Sequence, residues 1–269
     1  MAKDWWIQRA ERNGGEEGAA FDGDSLRTVL FGREAHQLRG DVAEHGKLRV
    51  VDGEPDVVIC YGGDGTLLAA EIKWPGIPKV PILNSRRGHR CIPHPADEVI
   101  ARLAEGSLVR NEYLKLCGRI YRQDAKTAEL SLSALNEFNV HMGRINSAVR
   151  FMLWMDDLPY ENELEILGDG FVVSTPFGST AYFNQITRGL FTQGIGVAFK
   201  YTSEHIDHMV LSEAVKLRFL ITRGPAMLAY DSADDFHRLN EGDVLEVQRN
   251  AKPATILACG RVQRLNEPF

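Results

Sequence analysis

Residues 56–68 read Asp56-Val57-Val58-Ile59-Cys60-Tyr61-Gly62-Gly63-Asp64-Gly65-Thr66-Leu67-Leu68. The run from Val57 to Cys60 is apolar and β-branched, which is typical of a strand buried on both faces, and the glycines after it predict a turn. Helix-forming residues follow, so we expect a helix that begins near Leu67 with Thr66 as its cap. A strand, a turn and a helix N-terminus would expose several backbone N–H groups together, which predicts a phosphate-binding loop. Its residues would be Gly62, Gly63, Gly65 and Thr66.

Asp64 stands in the middle of this loop. A loop that only bound a polyanion would gain nothing from a carboxylate, whereas a catalytic base or a magnesium partner must carry one. The plain alternative is a tight turn in which Asp64 caps its own helix. The residues of the loop leave both interpretations open.

Length and composition describe an ordinary globular protein with room for two domains. The chain has 269 residues, 44% of them hydrophobic and 25% charged, and its net charge is −6. An acidic chain offers no broad basic surface for nucleic acid or an anionic membrane, so we expect an anionic ligand to be bound by a local site. The four cysteines have no CxxC spacing, which favours reduced thiols over zinc or disulfides. No apolar signal region or membrane-spanning run is present, and we expect a cytoplasmic protein.

The first part of the chain is expected to be an α/β domain. Val80 to Leu83 is a second candidate for a buried strand, so the central stretch predicts a β-α-β unit in a parallel sheet. Because ligands bind at the carboxyl ends of such strands, Asp64 and Asn84 would share one edge. A helix over 95–105 should close this domain, for which we predict the bounds 1–110.

The pattern changes after residue 110. Apolar residues alternate with polar ones over 113–120, 130–135 and 149–155, and this period of two predicts strands. We therefore expect a β-rich domain over 111–250 and a C-terminal segment, 251–269, that returns to the first domain.

Three segments resemble the NAD kinase family. They are the Gly62-Gly63-Asp64-Gly65-Thr66 loop, the pair Asn136-Glu137, and the long segment Asp169-Gly170-Phe171-Val172-Val173-Ser174-Thr175-Pro176-Phe177-Gly178-Ser179-Thr180-Ala181-Tyr182. The loop alone is also similar to diacylglycerol kinases, sphingosine kinases and phosphofructokinases, but the long segment separates the NAD kinases from them. The resemblance covers roughly residues 56–185.

This resemblance implies an α/β nucleotide domain followed by a β-sandwich domain. It implies transfer of the γ-phosphoryl group of ATP, or of a phosphoryl group of polyphosphate, to the adenosine ribose 2′-hydroxyl of NAD, giving NADP. Magnesium would be held mainly through the substrate phosphates, and the protein would form dimers or tetramers. Asp64 would be the catalytic carboxylate. The NAD-binding residues would be Asn136, Glu137, Asp169, Ser179, Thr180, Ala181 and Tyr182.

The segment after Asn84 reads Ser85-Arg86-Arg87-Gly88-His89-Arg90-Cys91-Ile92-Pro93. It departs from the usual bacterial form of the family and is similar to its mitochondrial-type branch, which has a Gly-His-x-Cys-x-Pro stretch. Three arginines and a histidine at the end of a strand predict a phosphate clamp, with Asn84, Arg86, Arg87 and His89 as its nucleotide-binding residues. The alternative is a solvated surface loop.

Two other functions stay open for comparison. One is a protein of the same fold that binds NAD or NADP as a sensor without turnover. The other is a related kinase with the same loop that acts on a lipid or a nucleoside.

The acidic Asp231-to-Asp235 segment predicts a β-turn, and Ser232 stands where the family often has glycine, which puts a ligand role of that turn in doubt.

Overall fold

The computed structural model describes residues 25–86, 88–202 and 204–260. The chain divides into two compact units. The first unit contains the residues up to Glu112 together with those from Ala254 onward, and the second unit contains Tyr113–Pro253. The predicted α/β domain with a parallel sheet and the predicted β-sandwich are both confirmed.

A single sheet forms the centre of the first unit. Its strands are β1 (Leu26–Phe31), β2 (Leu48–Val50), β3 (Val57–Gly62), β4 (Lys79–Leu83), β5 (Val109–Tyr113) and β19 (Ala254–Ala258), arranged in the order β2-β1-β3-β4-β19-β5. The sheet pairs β1 with β2 and β3, and β4 with β3 and β19, all in parallel. The helices of this unit are α1 (Arg39–Ala43), α2 (Asp64–Lys73) and α3 (Ala96–Glu105).

The β-α-β unit forms because each of its two apolar strands, and the helix between them, is specified by residues that are close together in sequence. Strand β3 is buried over Val57–Cys60, and β4 runs parallel to it with Cys60 opposite Pro81. Helix α3 buries one face through Val99, Ile100 and Leu103, which pack in the core of this sheet. Before β2, a 3-10 turn over Ala35–Leu38 leads directly into the short α1.

The second unit is a sandwich of two antiparallel sheets. The first sheet contains β6 (Leu116–Tyr121), β7 (Leu130–Ala134), β9 (Val149–Met155), β10 (Leu158–Pro159), β11 (Ile166–Gly168), β15 (Leu217–Arg223) and β18 (Val244–Arg249). The second sheet, here called sheet C, contains β8 (Glu137–Met142), β12 (Gly170–Ser174), β13 (Ile195–Lys200), β14 (His208–Leu211), β16 (Ala226–Tyr230) and β17 (His237–Leu239). Helix α4 (Tyr182–Thr187) follows β12 after a 3-10 turn at Gly178–Thr180.

Alternating apolar residues build the core between these two sheets. Phe171 of β12 stacks on Phe219 of β15 with ring centroids 4.0 Å apart, so the inner faces of the sheets are in contact. Phe138 on the adjacent strand β8 and Phe199 on the adjacent strand β13 belong to the same core. Residues between them must therefore face outward from sheet C.

Among the described residues, no helix combines the length and apolar character that a membrane crossing requires. All four cysteines are free thiols.

Candidate functional site

The first group of predicted residues lies at the carboxyl edge of the parallel sheet. Strands β3 and β4 end side by side, and the Asn84 N–H donates to the carbonyl of Gly62 at 2.8 Å. Strand β3 ends at Gly62, and α2 begins two residues later at Asp64. Asp64 and Asn84 share this edge, as the β-α-β geometry requires.

The predicted cap of the helix is wrong. Helix α2 begins at Asp64 and not near Leu67, its N-cap residue is Gly63, and no side chain caps it. Thr66 lies inside the first turn, where its N–H donates to the carbonyl of Gly63 at 3.0 Å. Its side chain packs against Gly62, where an added Cβ would come within 3.0 Å of Thr66 Cβ. Gly62 is therefore needed for close packing, and the earlier start brings Asp64 to the positive end of the helix.

The Asp64 carboxylate anchors the segment that follows β4. Its Oδ2 accepts the N–H of His89 at 3.0 Å, and its Oδ1 accepts the N–H of Arg90 at 2.9 Å. The thiol of Cys91 lies 3.6 Å from Oδ1. Gly88 makes this approach possible, because a Cβ there would come within 2.6 Å of Leu83 Cδ1. The loop of residues 85–91, here called the arginine loop, is thus tied to the candidate catalytic residue.

These contacts decide what Asp64 can do chemically. Burial raises the pKa of Cys91 to about 12, and the neighbouring Asp64 charge adds to the rise, so Cys91 stays a neutral thiol that donates. Each Asp64 oxygen has two lone pairs, and the backbone N–H groups use one of each. The half-buried carboxylate keeps capacity to accept a proton or to bind a cation.

The arginines and the histidine of the arginine loop lie at the same edge. Arg86 and His89 are exposed, and Arg90 is half-buried. Arg87 falls outside the described residues. The Asn84 side chain donates to Glu34 Oε2 at 2.9 Å, which fixes the start of the loop. Gly65 is exposed on the first turn of α2, so the glycine loop and the arginine loop border the Asp64 carboxylate together.

The second group of predicted residues lies in the second unit, around the turn before β8. Asn136 accepts the N–H of Thr175 through its carbonyl at 2.9 Å, and the Thr175 hydroxyl donates to the carbonyl of Leu135 at 2.6 Å. Gly178 packs directly on this turn, because a Cβ on it would lie 2.6 Å from the Cα of Asn136. The structure thus brings Asn136 and Glu137 together with the segment that leads to Ser179 and Tyr182.

Asp231 is a residue whose importance the sequence did not reveal. Its carboxylate accepts the N–H groups of Leu135 at 2.6 Å, Asn136 at 2.7 Å and Glu137 at 3.3 Å. The turn that begins at Asp231, for which a ligand role was in doubt, therefore positions the Asn136-Glu137 pair through its hydrogen bonds. Burial raises the pKa of Asp231 to about 6, against the opposing effect of these three hydrogen bonds. No sequence signal marks this role, because the contact joins residues about 95 positions apart.

The residues after Gly178 range from fully buried to exposed. Ser179 is fully buried, and its hydroxyl lies 2.9 Å from the carbonyl of Pro176 and 3.0 Å from that of Phe191, so its side chain shapes the segment. Thr180 and Ala181 are half-buried. Tyr182 begins α4 with 51% of its surface exposed, which leaves its ring available to a ligand.

Asp169 lies apart from that group. It precedes β12, whereas Thr175 follows it, and the five-residue strand between them places the two residues about 20 Å apart at about 3.4 Å per residue. Its N–H donates to the carbonyl of Lys200 and its carbonyl accepts the N–H of Met142, both at 2.8 Å. Asp169 therefore stands at the opposite end of β12 from Asn136 and Tyr182.

Between these two ends, the outer face of sheet C carries buried polar residues, of which the sequence predicted only Glu137 as functional. Glu137, Asn139 and Lys200 are each at most 6% exposed. Burial raises the pKa of Glu137 to about 8, Asp231 adds to the rise, and Lys200 opposes it. Burial lowers the pKa of Lys200 to about 7, although Glu137 and Asp169 oppose that change. Strand alternation could have predicted outward polar positions here, but not their burial.

Metal ligands are sparse in the part of the chain that the structure describes. No group of three or more His, Cys, Asp and Glu side chains is placed to hold a metal ion there. At the sheet edge, the donor suited to Mg²⁺ is the Asp64 carboxylate.

Part of the chain is similar in sequence to known proteins. A scan of protein-family profiles finds no match to the chain. Among curated proteins, it is 34% identical to an NAD kinase of Marinobacter nauticus over 133 residues, 31% identical to one of Gemmatimonas aurantiaca over 164 residues, and 26% identical to one of Escherichia coli over 153 residues. These matches cover 47%, 59% and 55% of the chain, and 43%, 55% and 50% of the relatives. The chain thus spans about half the length of the curated relatives it matches.

Solved structures match over more of the chain. An NAD kinase from Archaeoglobus fulgidus in complex with ATP matches with a TM-score of 0.70 and 16% identity, covering 88% of this chain and 94% of that one. Yeast NADH kinase complexed with NADH matches with a TM-score of 0.71 and 16% identity, covering 80% of this chain and 67% of that one. The chain therefore has the fold of solved NAD and NADH kinases, and about half of it is similar in sequence to curated NAD kinases.

Proposed function

We propose that this chain is an ATP-dependent NAD kinase, which transfers the γ-phosphoryl group of ATP to the 2′-hydroxyl of the adenosine ribose of NAD. The observation that carries this proposal is the position of Asp64. Its carboxylate lies at the carboxyl edge of a parallel sheet, on the first residue of a helix, beside glycines and an arginine-rich loop. A base next to phosphate-binding amides is the arrangement that phosphoryl transfer to an alcohol requires. The likeness in sequence and fold to NAD kinases supports the choice of substrates.

Each residue at the sheet edge has a distinct part in this proposal. Asp64 accepts the proton of the attacking hydroxyl. Backbone N–H groups at the start of α2 bind phosphate oxygens, as helix N-termini do, with Gly62, Gly63, Gly65 and Thr66 shaping the turn. Arg86 adds positive charge from the arginine loop and His89 adds a ring N–H donor, with Arg87 assigned there on sequence alone. Bound Mg²⁺, held mainly through the phosphates, would neutralise charge on them.

The second unit supplies the proposed NAD-binding residues. The Asn136 side-chain amide has no hydrogen-bond partner among the described residues, so both its donors and its acceptor are available. Glu137 offers a carboxyl group to ribose hydroxyls, and Tyr182 offers an exposed ring. Asp169, Thr180 and Ala181 complete the set, with Ser179 acting through the backbone it holds.

Four finer points belong to the same proposal. Polyphosphate is proposed as a second donor, and a dimer or tetramer is proposed as the working state. The Gly88-His89-Arg90-Cys91-Ile92-Pro93 segment supports a likeness to the mitochondrial-type branch of NAD kinases. A cytoplasmic location is also proposed, in keeping with the four free thiols.

The deciding experiment measures NADP formation from NAD with Mg²⁺ and, in turn, ATP, another nucleoside triphosphate and polyphosphate. We expect turnover with ATP, and no turnover in the Asp64→Ala variant. Asp97→Asn is the matched control, because it alters an exposed carboxylate in the first turn of α3 and should keep full activity. Binding of NAD by calorimetry without NADP from any donor would favour the sensor. Neither binding nor turnover would favour a lipid or nucleoside kinase.

A further inference from the structure

The strand order of the first unit marks one place on its sheet where a ligand is expected. The order begins β2-β1-β3-β4, so the chain moves to one side of β1 at first and to the other side from β3 onward. In open α/β sheets, ligands bind in the crevice outside the carboxyl ends of the strands at such a reversal, which here lies between β1 and β3. The loop after β3 carries Asp64, and the loop after β1 carries Gly32, Arg33 and Glu34. Only the first of these two loops has a part in the proposed function.

The loop of residues 32–34, here called the β1 loop, packs against the turn that carries Asp64. Gly32 has a positive φ of 134°, a conformation that favours glycine. A Cβ on Gly32 would collide with the carbonyl oxygen of Tyr61 and would lie 3.5 Å from Cγ2 of Thr66. Tyr61 belongs to the end of β3, and Thr66 belongs to the first turn of α2. The β1 loop therefore approaches both sides of the turn between β3 and α2.

Two hydrogen bonds fix the rest of the β1 loop. The N–H of Ala35 donates to the carbonyl of Gly32 at 3.2 Å, which closes a turn with Arg33 and Glu34 at its two central positions. The Glu34 carboxylate accepts the side-chain N–H of Asn84 at 2.9 Å, and Asn84 directly follows β4. Both neighbours of Arg33 are thus held at the carboxyl edge of the sheet.

The Arg33 side chain itself is exposed and available to a ligand. No residue in the part of the chain that the structure describes forms a hydrogen bond or an ion pair with its guanidinium group. The edge carries the carboxylates of Asp64 and Glu34, so a polyanion that binds there needs nearby positive charge. Strand β3 lies between β1 and β4, and the β1 loop and the arginine loop therefore follow strands on opposite sides of Asp64.

We propose that Arg33 binds phosphate groups of the nucleotide substrate from the β1 side of this crevice. A guanidinium group forms bidentate, charge-assisted hydrogen bonds with phosphate oxygens, and it keeps its charge at every pH at which the protein is folded. This inference rests on the proposed function, because it adds a phosphate-binding residue to the same site. Arg33 precedes all of the motifs in the sequence. The phosphates are those of ATP or of NAD, and the experiment separates the two.

Initial rates with ATP and NAD varied in turn test the role of Arg33. Arg33→Ala should raise the KM for ATP, for NAD or for both by at least about tenfold and change kcat by less than about threefold, because the lost bonds bind phosphate and move no proton. Arg33→Lys keeps the charge without the bidentate geometry, so it should recover part of this loss.

Arg49→Ala is the matched control. Arg49 is an exposed arginine of the edge strand β2, so its replacement removes the same charge from the same unit without touching the crevice. Both KM values should stay at the wild-type level in this variant. Unchanged KM values for both substrates in Arg33→Ala, or an equal rise in Arg49→Ala, would overturn the proposal.

Isothermal titration with ATP, NAD and tripolyphosphate separates failure of this inference from failure of the proposed function. If the wild type forms no NADP but binds ATP or tripolyphosphate, and Arg33→Ala weakens that binding at least about tenfold, the proposed function fails and the role of Arg33 stands. If the wild type forms NADP and Arg33→Ala binds all three probes with wild-type affinity, the role of Arg33 alone fails. A wild type that binds none of the three would overturn both.

Discussion

Asp64 serves two purposes with one carboxylate. It is the candidate base, and it also accepts the N–H groups of His89 and Arg90 through its two oxygens. An asparagine at this position would retain one acceptor, but its –NH₂ group would face a backbone N–H donor. Amide replacement is therefore not a neutral change at Asp64, and a control must separate loss of basicity from loss of the anchor.

We predict that Asp64→Asn lowers kcat by about 10²–10⁴-fold, the usual contribution of a positioned base. Gly88→Ala is the matched control, because its added Cβ crowds Leu83 and disturbs the arginine loop while the carboxylate remains. It should lose less than tenfold. Steady-state kinetics of both variants decide the matter, and equal losses would mean that Asp64 acts by anchoring the loop.

The raised pKa of Glu137 has a consequence for stability. A carboxyl group whose folded pKa lies above its unfolded value stabilises the fold when protonated, and that contribution disappears as pH rises from about 4.5 towards about 8. Burial lowers the pKa of Lys200 to about 7, so Lys200 begins to titrate near the upper end of this range, and it is present in both wild type and variant. Asp231, with a pKa of about 6, contributes in the same direction but is common to wild type and variant.

Glu137→Gln should therefore become more stable relative to the wild type as pH rises from 5 to 7. The expected change in the difference between their unfolding free energies is about 1.4 kcal/mol per pH unit. Urea unfolding of both proteins across this range measures it. A constant difference would show that Glu137 titrates normally in the folded protein.

Among the larger elements, the arginine loop is held by its backbone and leaves its charged side chains outward. Arg86 and His89 are exposed, while the backbone N–H groups of His89 and Arg90 donate to Asp64. Guanidinium groups form bidentate, charge-assisted bonds with phosphate, and such bonds do not need a buried side chain before the ligand arrives.

We predict that Arg86→Ala combined with Arg87→Ala raises the KM for ATP or for NAD by at least tenfold with little change in stability. Arg102→Ala, an exposed change on α3, is the control and should leave both constants unaltered. Initial-rate kinetics with each substrate varied in turn identify the affected phosphate. Unchanged constants in the double variant would make the loop a solvated surface feature.

The turn before β8 depends on the absence of a side chain at Gly178. A Cβ there would lie 2.6 Å from backbone atoms of Asn136, which cannot move without disturbing the bonds to Asp231. Gly178→Ala should weaken NAD binding by about 1–3 kcal/mol, the cost of displacing polar groups from their partners. Gly189→Ala is its control, since the nearest atom there lies at 3.5 Å. Calorimetry that finds equal NAD affinity in both variants would remove this turn from the binding site.

At the scale of the whole molecule, the chain leaves the first unit and later returns to it. Strand β19 lies between β4 and β5, and all five of its residues are buried. The second unit, by contrast, is complete within Tyr113–Pro253. The sheet of the first unit thus depends on residues that follow the entire β-sandwich in sequence.

Ending the chain after Pro253 should therefore unfold the first unit and spare the second. Loss of Ile256 and Leu257 alone removes about 3–6 kcal/mol of apolar burial, and the neighbouring strands lose their ladder partner. Hydrogen exchange should show lost protection in β3 and β4 and retained protection in β8 and β12. A chain that ends after Gly260 keeps β19 and is the control. Full protection of β3 in the shorter chain would contradict the prediction.

Local chemistry was enough to predict several elements of both units. The β-branched run before Gly62, the helical spacing of Val99, Ile100 and Leu103, and the alternation after residue 113 each predicted an element that the structure contains. These signals act between residues within one turn or one strand pair, so they are visible in the sequence. The helix start at Asp64 was missed because two glycines permit an earlier start than propensity suggests.

Only the tertiary structure decided the roles of Asp231, Lys200 and Asn139. Asp231 holds a turn that lies about 95 residues earlier, and Lys200 binds Asn139 across 61 residues. Such pairs depend on strand order and register, which sequence spacing does not determine. Burial of Glu137 follows from the same packing, because a polar residue on an outward strand face is exposed unless other elements cover it. The sequence by itself determined the elements and the candidate base, whereas packing determined which polar groups are buried together and how their charges influence one another.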